Sequence, residues 1–151
     1  MSTASDFAGR RADVLVFQVS AGESPQELFG GDGLARLCAG PQRVAQAYAL
    51  ALLQQQGTVP YAPSEGTGLV AEVASGRIRT DADLVQAFGR ANLLAVRQVQ
   101  TAELDSDPLD ERLDYANLAG HSVGIDSVEL RVEVFTMAGV SRTVLLPIPS
   151  P

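Results

Sequence analysis

The sequence predicts an α+β domain: a small antiparallel or mixed sheet with a C-terminal β-hairpin, packed against two main helices and one short helix. Three observations carry this. Apolar and charged residues alternate strictly from Val128 to Val134, and two earlier segments place apolar residues at helical three-and-four spacing. The order along the chain is strand, helices, then strands. A length of 151 residues with 46% hydrophobic content fits one domain over residues 12–149, behind a flexible N-terminal arm at 1–11.

The first strand is read from ADVLVFQVS, where Val14, Leu15, Val16, Phe17 and Val19 form a nearly continuous β-branched and aromatic run. AGESPQELFGGDG then carries turn residues and reads as a connection. The clearest helix begins at Gly40-Pro41 and runs to about Gln56, with Val44, Ala47, Tyr48, Ala51 and Leu52 as its buried stripe. Gly57 is expected to close it in a left-handed conformation.

The loop TVPYAPSEGTG follows. It reads as a structural elbow in which Gly57 ends the helix, Pro60 and Pro63 hold an extended path, Tyr61 pins that path to the core, and Gly66 admits the next helix. A short apolar helix over about Leu69 to Ser75 stops at Gly76. Thr80 and Asp83 then form a capping box, opening a second long helix with the stripe Leu84, Val85, Phe88, Ala91 and Ala95. From Leu94 the alternation of Val96, Gln98 and Gln100 with Arg97, Val99 and Thr101 predicts a strand. The acidic AELDSDPLDERLDYANLAGHS reads as an extended excursion with one weak helix around Pro108 to Leu113. The final hairpin turns at Ala138-Gly139, and the prolines of PIPSP block further pairing.

Composition narrows function. The net charge is -7, and all 11 basic residues are arginines scattered among 18 acids, so no phosphate-binding cluster forms and nucleic acid is not a partner. No run approaches the roughly 20 apolar residues of a membrane span, which predicts a soluble chain with no membrane partner. The single cysteine, Cys38, reads as a small buried hydrophobe.

Catalytic chemistry has little to start from. His121, the only histidine, stands in AGHSVG without an accompanying nucleophile motif. DSDPLDERLD offers Asp105, Asp107, Asp110, Glu111 and Asp114, but lacks the glycine and terminal glutamate of a calcium loop. The glycines around Gly66 do not match a phosphate loop, and no lysine exists to complete one. Neither enzymatic activity nor a cofactor or metal is expected.

Read as one pattern, GLARLCAG followed by PQRVAQAYALALLQQQGTVPYAPSEGTGL resembles the baseplate wedge and sheath-initiator family of contractile phage tails and related injection machines. The matching positions are Gly40, Gln46, Leu52, Leu53, Gly57, Pro60, Tyr61, Pro63, Gly66 and Leu69, and the resemblance in element order extends over residues 32–148. One departure is Ala95-Val96-Arg97, where the family commonly carries Glu-Pro-Arg. The resemblance implies a virion structural protein of the tail baseplate, assembled in the host cytoplasm. Its partners would be the tail sheath protein, wedge proteins and tube or hub proteins.

On that reading Arg97 makes a wedge contact. The hairpin residues Val128, Leu130, Val132, Val134, Val144 and Leu146, with the N-terminal strand, form the sheath-docking interface. A hairpin edge can take in a foreign strand through main-chain hydrogen bonds alone; the alternative is that both edges are covered within the monomer. Two rival functions stay open: a cell-wall hydrolase, suggested by Glu65, the many aspartates and the family's historical lysozyme label, and another tail-completion or adaptor protein.

Overall fold

The computed structural model describes residues 9–15 and 37–150. Two short strands, β1 (Asp13–Val14) and β2 (Leu37–Cys38), pair antiparallel; then come helices α1 (Gly40–Leu53), α2 (Leu69–Ala74) and α3 (Asp81–Ala102) and a single 3-10 turn at Leu109–Glu111. Strands β3 (Leu113–Val123), β4 (Ser127–Thr136) and β5 (Ser141–Pro149) form an antiparallel sheet in that order. The architecture is α+β. Val16 to Ser20 of the expected N-terminal strand, and the connection at 21–33, lie outside the described residues.

α1 buries Val44, Tyr48, Ala51 and Leu52 as its spacing requires, and Pro41 stands in its first turn, where the missing N–H has no helical acceptor. It ends at Leu53, three residues short of Gln56. Gln54 is drawn off instead: its carbonyl accepts from Thr67 N at 2.7 Å, and Gln56 N donates to Thr67 O at 3.2 Å. Gly57 is left-handed, with φ +84°, but in the turn after the helix and not at its end.

α3 opens with the capping box of Thr80 and Asp83. It runs 22 residues, straight through the segment expected to become a strand. Ala91, Ala95 and Val99 are all buried at four-residue intervals, so the helical stripe continues beneath the short alternation that mimics a strand. Val85, placed in that stripe by the sequence, is 46% exposed.

The excursion expected before the hairpin is for the most part β3, an 11-residue strand. Its register with β4 shifts between Leu113 and Tyr115 and again between Leu118 and Gly120, and each extra residue flips the side-chain alternation that would have announced a strand. His121 therefore belongs to a strand. β4 and β5 join through Met137, Ala138 and a left-handed Gly139, and their alternate residues face the helices. The core lies between that sheet face and the stripes of α1 and α3, with Tyr48, Leu52, Leu84 and Leu130 fully buried. Cys38 is buried and free.

Candidate functional site

The hairpin residues expected to dock a partner, Val128, Leu130, Val132, Val134, Val144 and Leu146, are all buried in the core. Their side chains cannot touch another protein. β4 is also the central strand, so both of its backbone edges are already paired. What the hairpin can present is the outer backbone of β5.

The phase of that edge follows from two bonds at the ends of the β4–β5 ladder: Thr136 N donates to Val140 O and Ser150 N to Asp126 O, each at 2.9 Å. In an antiparallel pair the hydrogen-bonded positions alternate, so with Val128 opposite Ile148 the even-numbered residues of β5 bond to β4 and the odd ones point away. Ser141, Thr143 and Leu145 thus direct N–H and C=O groups outward, with the Ser141 carbonyl accepting from Arg142 Nη1 at 3.1 Å. Pro147 and Pro149 have no N–H to direct outward, but contrary to expectation they do not block pairing with β4: β5 continues to Pro149, because both prolines fall at positions that do not bond to β4.

The other edge of the sheet is covered at its start by amide side chains of α3, while further along β3 the backbone of Leu118, His121 and Val123 faces outward. Asn92 Nδ2 donates to Ala116 O at 3.0 Å, and Gln100 Nε2 donates to Leu113 O at 3.1 Å and Asp114 O at 3.0 Å. Leu113 N in turn donates to Glu103 Oε1 at 2.6 Å, and burial raises the Glu103 pKa. Tyr48 Oη donates to Asn92 Oδ1 at 2.6 Å and fixes the amide; burial raises the pKa of that phenol, so it remains a donor. These residues escaped the sequence reading. The signal available was their spacing: Asn92, Gln100 and Glu103 stand on one side of a helix, beside its apolar stripe.

Arg97 lies on α3, exposed, and its guanidinium has no hydrogen-bond or ion-pair partner among the described residues. In the loop, Gly66 is left-handed at φ +95°, and a Cβ there would stand 2.5 Å from Gln54 O. Gly66 N donates to Gln98 Oε1 at 2.8 Å, and Thr67 Oγ1 to Leu52 O at 2.6 Å. Pro60 and Pro63 each take the second position of a turn, closed by Ala62 N to Val59 O and Glu65 N to Ala62 O, both 3.1 Å. The elbow exists, and Gly66 serves it as expected, but Gly57 does not end the helix, Pro60 and Pro63 make tight turns where an extended path was expected, and Tyr61 departs furthest. That residue is 92% exposed at the tip of the first turn and pins nothing to the core, because the neck bonds already hold the loop.

The acidic segment binds the N-terminal arm. Arg10 Nη1 lies 2.7 Å from Asp110 Oδ2, and Arg11 Nη1 lies 3.0 Å from Asp107 Oδ2. Glu111 is completely buried; its Oε2 accepts from Arg11 N at 3.2 Å and its Oε1 from Gly40 N at 3.3 Å. So the described end of the arm, residues 9–11, is tied down. His121 Nε2 faces Asp81 Oδ1 at 3.7 Å. Among the described residues no three His, Cys, Asp or Glu side chains converge as metal ligands. No family model, curated protein or solved structure matches this chain.

Proposed function

We propose that this protein is a structural component of a contractile-tail baseplate, joining wedge subunits to the sheath and templating the first sheath ring by accepting a partner strand on β5. The observation that carries the assembly reading is the asymmetry of the sheet. β3 is bent by two bulges and covered by Asn92 and Gln100 at Leu113, Asp114 and Ala116, while β5 runs without a bulge and leaves outward donors at Ser141, Thr143 and Leu145 and outward acceptors at Thr143 and Leu145. Native proteins ordinarily cover or interrupt such an edge unless it is used. The assignment to a tail baseplate rests on the resemblance of residues 32–148, with sheath and wedge proteins as partners and Arg97 on the exposed side of α3 as a wedge contact.

Augmentation needs outward N–H groups and no catalytic side chain, which makes proline the direct test. Thr143→Pro and Leu145→Pro each remove one outward donor while sparing the bonds to β4, as Pro147 already does in the natural chain. Co-sedimentation of the purified chain with sheath and wedge proteins should show association that the double proline variant loses, with its circular dichroism unchanged. Association with the sheath protein that survives both prolines would overturn augmentation. No association of the natural chain with either partner would overturn the baseplate reading.

A further inference from the structure

We infer that α3 pairs antiparallel with α3 of a second copy of this chain, crossing it at Gly89. The outward side of α3 is not the polar surface that an unpartnered helix ordinarily presents. Leu93 is 74% exposed and Val85 46%, and they stand one turn to either side of Gly89. Ala82 is exposed on the same side, so an apolar strip faces away from the core.

Among the described residues nothing explains Gly89. Its backbone is not left-handed, and a Cβ built on it would meet nothing within 4 Å, so neither conformation nor packing within the monomer requires glycine there. Glycine weakens a helix interior relative to alanine, and what it offers in return is close approach of another backbone. Two helices that cross at about −50° lay their four-residue ridges alongside each other, and the ridge through this glycine is Asp81, Val85, Gly89, Leu93 and Arg97.

That ridge is complementary to itself, which selects the partner. In an antiparallel pair centred on Gly89, a residue standing some places before the glycine faces the one standing as many places after it. Val85 then meets the second copy's Leu93, four places to either side, and Asp81 meets the second copy's Arg97, eight places to either side. Both charges are available. Arg97 is exposed, with no hydrogen-bond or ion-pair partner among the described residues, and the Asp81 side chain is 74% exposed, with His121 Nε2 at 3.7 Å beside it. Two-fold symmetry makes each of these contacts twice. A parallel pair would instead set Asp81 against Asp81 and Arg97 against Arg97, and like charges across an interface cost affinity. The pairing uses α3 alone and rests neither on the β5 edge nor on the baseplate reading. Because it engages Arg97, a wedge subunit that uses this residue must displace the second copy.

The test is sedimentation velocity of the full chain at rising concentration, up to millimolar. A reversible monomer–dimer equilibrium is expected, and Leu93→Glu should weaken it at least about tenfold. Asp81→Arg and Arg97→Asp should each weaken self-association about tenfold, while an equimolar mixture of the two should dimerise about as tightly as the natural chain, since every charge then meets its opposite. Circular dichroism reports whether each variant is folded. Leu93 is exposed, so Leu93→Glu spares the core and decides the matter even where a charge variant fails to fold. The Thr143→Pro, Leu145→Pro double variant leaves α3 untouched and should self-associate as the natural chain does. A natural chain that stays monomeric throughout, a dimer that folded Leu93→Glu retains, a mixture of folded charge variants that associates no better than its components, or a dimer lost with the two prolines would each overturn the pairing.

Discussion

The side-chain amide of Asn92 donates to the carbonyl of Ala116 at 3.0 Å, so a helix side chain occupies the place where a neighbouring strand would otherwise bond. Asn92→Ala removes that donor and also the acceptor for Tyr48 Oη. With two part-buried polar groups orphaned, unfolding in urea should show a loss of about 2 kcal/mol. An unchanged midpoint would mean water replaces the amide at no cost.

Glu111 holds three distant segments at once, through Arg11 N, Gly40 N and the turn it belongs to. Glu111→Ala leaves both backbone donors without their acceptor at a fully buried position, and a loss of about 3 kcal/mol is expected. Amide hydrogen exchange at Arg11 and Gly40 should accelerate together; protection kept at either site would count against a shared latch.

Gly57 and Gly66 are both left-handed, yet they differ in surroundings. A Cβ at Gly57 meets nothing within 4 Å, whereas at Gly66 it would lie 2.5 Å from Gln54 O. Gly57→Val should therefore cost roughly 1 kcal/mol, from backbone strain alone. Gly66→Ala should cost about 3 kcal/mol, since the neck of the loop must open as well. Equal losses in a pair of thermal denaturations would refute the steric argument.

Asp83 is held below the ordinary aspartate pKa by hydrogen bonding to Thr80, and further by the Arg79 and Thr80 backbone N–H groups. A folded pKa below the unfolded one means this contribution to stability is complete above about pH 4 and fades as pH falls through the folded value. An NMR titration of the Asp83 carboxyl should show the low midpoint, and Thr80→Ala should raise it. A midpoint indifferent to Thr80 would remove the capping box as the cause.

Local chemistry made much of the fold legible. Thr80 with Asp83 marks a helix start, and the unbroken alternation from Val128 to Val134 marks a strand, because neither depends on distant residues. β3 was hidden because bulges near Asp114 and Ala119 interrupt its period, and the second half of α3 because Val96 to Thr101 satisfy two periods at once. Glu111 was visible only as one acid in an acidic run; its partners lie 71 and 100 residues away, and no spacing rule links them. The hairpin's apolar residues were correctly seen as one face, but a face that alternates so cleanly is one already buried against helices. The outward backbone between them could be found only once strand order and phase were known.

A sheet with one regular edge, the other bent by two bulges and covered at its start, offers a single unbroken place for a partner strand. If two copies met through β5, each would use the other's one regular edge, and neither would retain an unbroken place for a third. The pairing that lets the chain recruit a strand therefore also terminates with it. Asn92 and Gln100 at the start of β3, together with its two bulges, set that limit: they turn a surface chemically able to extend without end into one that favours a single partner.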